Sequence, residues 1–142
     1  MNNQLQAFAQ KVQSENCEVV RHHLTPSQAV QAAPYIDHWV LQMYNINPDL
    51  INNTETLLTK LNQVVDNLGL TRVSDHSHYF HPGVSTVIIL SESHLSAHTW
   101  PELGYFHVDI VTCEPKLTPE TLEREFKAAF HSDDIHMVEL SY

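Results

Sequence analysis

A chain of 142 residues has room for one domain with one core, and its apolar share of 42% is ordinary for a globular protein. Seventeen acidic residues against seven basic give a formal charge of −10, which argues against a nucleic-acid binder and suits a cationic small substrate. No apolar run approaches the ~20 residues of a membrane span, so no membrane partner is expected.

Met1 to Gln6 carry no basic segment followed by an apolar one, so no signal peptide is expected. With two cysteines and no export signal, the chain is expected to be cytoplasmic with reduced thiols. Residues 1–33 read as a helical N-terminal extension: Leu5, Phe8, Ala9 and Val12 recur at helical spacing, and Pro26 to Ala32 suit a second short helix. Ala33-Pro34 is the junction to a main body over 34–142. There, His38 to Met43 suits a strand. Asn53 or Thr54 can cap a helix whose Leu57, Leu58, Leu61, Val64, Val65 and Leu68 share one face, with Gly69 at its stop. Thr71 to Phe80 reads as extended, Pro82-Gly83 as a turn, and Val84 to Leu90 as a buried strand. Tyr105 to Thr112 alternates, with Phe106, Val108 and Ile110 between His107, Asp109 and Val111. A second helix opens at Thr118 with Pro119 as its first residue, and Leu122, Phe126, Ala129 and Phe130 form its apolar face. Ile135 to Leu140 is a last short strand. The order strand, helix, three strands, helix, strand predicts an α+β two-layer sandwich, mostly antiparallel, with the helices on one face. The uncovered face invites a partner, and a homodimer is the economical answer.

Chemical information concentrates between Gly83 and Cys113. The run Ser91-Glu92-Ser93-His94-Leu95-Ser96-Ala97-His98-Thr99-Trp100-Pro101-Glu102 follows the apolar strand directly. Gly83-Val84-Ser85 lies upstream of it, and Gly104-Tyr105, Val108-Asp109 and Thr112-Cys113 lie downstream. This pattern resembles the prokaryotic S-adenosylmethionine decarboxylases, at low level over 37–140 and densely over 83–113. Separate motifs at fixed spacing are more specific than any one of them. Glu-Ser-His alone reads as a strand end, Cys113 alone as packing, and Trp100 alone as a core anchor.

The resemblance implies a pyruvoyl-dependent enzyme that makes its own cofactor. An amine sheds carbon dioxide readily only if the resulting carbanion is delocalised, and a Schiff base to a carbonyl group provides that sink. No side chain is a ketone. In the family, the serine hydroxyl attacks the preceding carbonyl, here that of Glu92, to give an ester. β-Elimination then splits the chain, and hydrolysis leaves a pyruvoyl group at position 93. The resemblance makes Ser93 the cofactor precursor, His98 the processing base, Ser85 a processing aid and Cys113 the later proton donor. It makes Trp100 and Glu102 the nucleoside contacts, and Tyr79 the favoured aromatic partner over Phe80. It also implies an active site built between two protomers. Departures from the family are Ala97, Phe106, His107 and Glu114-Pro115; bulk at Phe106 and His107 could narrow the pocket or face the dimer seam.

Eleven histidines raise the possibility of a metal. His76 and His78 share a strand face, but His81 lies at an odd offset, and no Cys or carboxylate pattern completes a set, so no metal is expected. His22-His23 read as solvated surface. Two rival functions remain: a pyruvoyl-dependent ornithine or arginine decarboxylase, and an unprocessed, non-catalytic homologue. Trp100 and Glu102 argue against the first, and the intact set of Ser93, His98, Ser85 and Cys113 against the second.

Overall fold

A computed structural model describes residues 35–113 and 116–140. The expected extension over 1–33, the Ala33-Pro34 junction and Glu114-Pro115 lie outside them. Six strands, β1 (Asp37–Met43), β2 (Arg72–Phe80), β3 (Gly83–Leu90), β4 (Ser93–Trp100), β5 (Tyr105–Thr112) and β6 (Ile135–Leu140), form one sheet in the order β2-β3-β4-β5-β1-β6. Every neighbouring pair is antiparallel. Two helices, α1 (Thr54–Asn67) and α2 (Pro119–Phe130), complete the expected α+β two-layer fold.

Both helices begin where the sequence provides a cap. The Asn53 side chain accepts from the Thr56 N–H at 2.8 Å, and the Thr118 hydroxyl accepts from the Thr121 N–H at 3.2 Å with Pro119 in the first turn. Gly69, at φ +73°, takes the left-handed position just after α1. Leu57, Leu61, Val64 and Val65 of α1, with Leu122, Phe126, Ala129 and Phe130 of α2, bury against one face of the sheet. That face presents Trp39, Leu41, Met43, Val84, Ile88, Leu95, Phe106, Val108 and Ile110. Burial of each large side chain contributes ~1.5–3 kcal/mol.

Two expectations need correction. Between the helices there are four strands rather than three, because Ser93–Trp100 is a full strand, β4, and not a loop after β3. The Val84 to Leu90 run is only half buried: Val87 and Ile89 emerge on the face that carries no helix. One face of the sheet is therefore packed and the other is open, and successive side chains alternate between them.

Candidate active site

Strands β3 and β4 form a tight hairpin closed by Ser91 and Glu92, with Leu90 opposite Ser93. The Glu92–Ser93 peptide bond thus lies at the tip, where a short turn exposes Ser91 and Glu92. The neighbouring end of β5 places Cys113 there, and its thiol donates to the Glu92 carbonyl at 3.4 Å. A recess of about 180 Å³, bounded by Gly69 to Thr71 and Leu90 to Ser93, opens beside the bond. The Ser91 N–H donates to the Thr71 carbonyl at 2.9 Å and so ties the tip to the α1–β2 connection. This end also rests on Asp37, whose buried carboxylate accepts from the Leu117 N–H at 2.7 Å and from Trp39 Nε1 at 2.9 Å. Asp37 thereby anchors the chain just past Cys113. An aspartate opening a strand carries no sequence signal for that duty.

The other candidate residues gather at the far end of the same hairpin. Ser85 pairs with His98, and Ser85 Oγ lies 2.8 Å from His98 Nδ1. Trp100 is tilted against His98 and Tyr105, with ring centroids 6.4 and 5.5 Å apart. Glu102 follows, exposed, in the 3-10 turn Pro101–Leu103, whose Pro101 is buried. Thr99, between His98 and Trp100, points the other way into the core. Its hydroxyl accepts from the Val84 N–H at 2.9 Å and donates to the Ile51 carbonyl at 2.8 Å, which fixes this end of β4. Gly83 is required here, since a Cβ would run into the Thr99 carbonyl and meet the Phe80 ring at 2.6 Å.

Ser93 and His98 do not meet. They are five residues apart on an extended strand, roughly 16 Å at ~3.3 Å per residue, and the odd offset puts their side chains on opposite faces. Tyr79 does not join Ser85 and His98 either. It pairs with Val84 on the packed-face register, and its hydroxyl lies 2.8 Å from His81 Nδ1. Phe80, over Gly83, is the aromatic ring that shares their face.

The two family departures on β5 separate cleanly. Phe106 is fully buried among Phe126 and Phe130, so it cannot narrow a pocket on the open face. His107 is directly opposite His98 on the open face, flanked by Gln42 of β1. Burial, and then the neighbouring His98, hold the His107 imidazole below the usual histidine range, with Asp109 opposing them. Gln42 Nε2 donates to the Tyr105 hydroxyl at 2.8 Å. Burial pushes the Tyr105 phenol up and keeps it protonated as Gln42's partner.

The register brings His38, His76, His78, His94, His98, His107 and His136 to the open face, most of the eleven histidines in the chain. From the sequence, His76 pairs with His78, and His94 lies four residues from His98. The others become visible as one surface once the strand order is known. Among the described residues, no three His, Cys, Asp or Glu side chains cluster as a metal site requires. No helix among them is long and apolar enough to cross a membrane.

Comparison with known proteins agrees with this fold. The family model described as S-adenosylmethionine decarboxylase matches residues 37–141. The S-adenosylmethionine decarboxylase proenzyme of Thermosipho melanesiensis is 36% identical over 103 residues, covering 72% of this chain and 79% of the relative. The proenzyme of Thermotoga maritima is 35% identical over 103 residues with the same coverage, 72% and 79%. The crystal structure of the adenosylmethionine decarboxylase from Aquifex aeolicus superposes with a TM-score of 0.64 at 28% identity, covering 76% of this chain and 90% of that one. A six-stranded antiparallel sheet with two helices, and a family match spanning the whole of it, lead to one conclusion: this chain belongs to the S-adenosylmethionine decarboxylase family.

Proposed function

We propose that this chain is a precursor that cleaves itself between Glu92 and Ser93, carries the resulting pyruvoyl group at position 93, and decarboxylates S-adenosylmethionine as a homodimer. The product would be an aminopropyl donor of the kind that spermidine synthesis consumes. The observation that carries this reading is the Cys113 thiol on the Glu92 carbonyl, 3.4 Å away, at the exposed tip of a tight hairpin. A donor on that oxygen favours attack at the carbonyl carbon, because negative charge develops on the oxygen in the transition state.

The residues present suit the chemistry. Ser93 Oγ bonds to the Glu92 carbonyl carbon, the C–N bond breaks, and the freed nitrogen takes the hydroxyl proton, leaving an ester. Removal of the position 93 α-proton then expels the Glu92 carboxylate, and water replaces nitrogen at the resulting double bond to give the ketone and ammonia. Once formed, the pyruvoyl carbonyl supplies the electron sink for decarboxylation. Cys113 holds a thiol proton at the same end for the substrate carbon that has lost its carboxylate. Trp100 offers a face for stacking on adenine, and Glu102 a carboxylate for ribose hydroxyls.

His98, with Ser85 on its Nδ1, is the base for the elimination. Its distance from Ser93 within one chain, roughly 16 Å along the strand, means that a second copy must bring it. A two-fold partner across the open face, antiparallel to the first, would carry its own Ser85, His98, Trp100 and Glu102 end toward the first chain's hairpin tip. There the elimination acts on the backbone α-proton of position 93 and not on the Ser93 side chain, which starts on the packed face opposite Leu90. Val87 and Ile89, exposed on that face, are the apolar contact such a partner would cover.

The test is the intact mass of denatured wild-type protein, followed by carbon dioxide release from S-adenosylmethionine, ornithine and arginine side by side. Fragments 1–92 and 93–142 are expected, with Ser93→Ala remaining one inactive chain. A folded wild type that stays full length overturns the cleavage. Cleavage with a preference for ornithine or arginine overturns the substrate and leaves the self-processing reading in place.

A further inference from the structure

Cleavage at the hairpin tip would leave β4 beginning at a free chain end, since Ser91 and Glu92 are its covalent link to β3. Strand ends fray unless something ties them down. In the intact hairpin the turn sets the register by itself. After cleavage, what remains is the ladder from Ser93 and His94 to Leu90 and Ile89, and from His94 to Val111.

One side-chain tie reinforces that ladder. Asp109 sits on the open face of β5, between β4 and β1 in the sheet. Its Oδ1 lies 3.3 Å from His94 Nε2 on β4, and its Oδ2 lies 2.6 Å from His38 Nε2 on β1. A single carboxylate thus spans three adjacent strands. The His38 contact is the shorter and the more buried, with side-chain exposures of 15% and 26% for His38 and Asp109 against 43% for His94. His38 therefore fixes the carboxylate, and the carboxylate holds His94. Of the described strand residues that the register brings to the open face, Asp109 is the one carboxylate. His94 is the residue immediately after Ser93.

We infer that Asp109, oriented by His38, is a positioning residue that clamps His94 and so holds the cofactor-bearing end of β4 against the Cys113 end of β5 once the chain is cut. The inference rests on the cleavage reading above. It assigns Asp109 no contact with substrate. The clamp has little effect before cleavage, because the turn already fixes Ser93, and acts after it, when the turn is gone.

The experiment compares Asp109→Asn in two backgrounds, wild type and the uncleavable Ser93→Ala. In the wild-type background the variant should cleave at close to the normal rate by intact mass. Its cleaved form should then exchange the amide hydrogens of residues 94–96 about tenfold faster than cleaved wild type, the scale of losing a charge-assisted hydrogen bond. Its kcat should fall by a similar factor, with KM changed less. In the Ser93→Ala background the same amides should exchange at the parent rate. Should Asp109→Asn fold poorly, His94→Gln and His94→Ala replace it: glutamine keeps an N–H donor and should retain much of the protection that alanine loses. Equal protection in cleaved Asp109→Asn and cleaved wild type, or in both His94 variants, overturns the clamp. So does faster exchange of equal size in the uncleavable background, which would make Asp109 an ordinary structural tie. A wild type that never cleaves shows itself by mass alone, and it removes the clamp together with the reading beneath it.

Discussion

At the end of β5 the Cys113 thiol meets the Glu92 carbonyl before any chemistry has occurred, at 3.4 Å. A role limited to protonating product carbon would not require that contact in the precursor. The thiol is a weak donor, so its loss should remove under ~1 kcal/mol of transition-state stabilisation, or about two- to fivefold in cleavage rate. Cys113→Ala is therefore expected to process slowly but completely, and then to turn over far more poorly than its cleavage defect suggests. A time course of the 1–92 and 93–142 fragments, followed by turnover of the fully cleaved sample, separates the two effects. Cleavage at the wild-type rate would confine the thiol to the later step. His98 is a different case: its partner Ser85 is fixed at 2.8 Å within the chain, whereas the Glu92–Ser93 bond, in whose cleavage we propose it acts, lies at the other end of the strand.

Between elements, Phe106 is where β5 meets α2, with ring centroids 4.7 Å from Phe130 and 6.4 Å from Phe126. Phe106→Ala should lose ~3–5 kcal/mol, read as a lower urea midpoint, while the folded fraction keeps its substrate KM. A raised KM at unchanged stability would return Phe106 to the pocket. Phe106 faces the core because β5 alternates, and that alternation was legible in Tyr105 to Thr112, as were both helices through Asn53, Thr118 and Pro119. Strand β4 was not legible. Ser93–Trp100 hides its period of two, since the inward positions Ala97 and Thr99 are small or polar, and Thr99 is buried by its hydrogen bonds rather than by apolarity. The residues of the candidate site came from the family resemblance, which did not tell that they divide into two groups. Five residues span about 7.5 Å on a helix and about 16 Å on a strand. The separation of Ser93 from His98 follows only once that segment is known to be extended. Val87 and Ile89 misled for a related reason: an apolar side chain on an open face reads like one in a core.

At the scale of the sheet, the open face combines exposed Val87 and Ile89 with a field of imidazoles and, among the described strand residues, the one carboxylate of Asp109. Imidazole is the side chain that gains charge as pH falls below about 6.5. His107 shows the direction. Burial and the adjacent His98 hold its folded value down, Asp109 opposes them, and its other cross-strand neighbour, Gln42, is neutral, with His136 beyond it on β6. A group depressed in the fold favours the native state above its unfolded pKa, and that stability is lost as pH falls through the folded value, because the unfolded chain takes the proton first. A two-fold partner on this face, as proposed above, would oppose one His107 with an identical one, so the same protons that strain one protomer would repel its copy. Assembly should therefore weaken on the acid side. Sedimentation equilibrium is expected to give a dimer at pH 8 and a growing monomer share at pH 5.5, with high salt moving the midpoint to lower pH by screening the repulsion. His107→Gln, which removes one titrating group per face, should hold the dimer to lower pH than wild type. An unchanged mass at both pH values would mean that copies do not meet on this face. The Ser85 and His98 of a second chain would then have to reach Ser93 by another route.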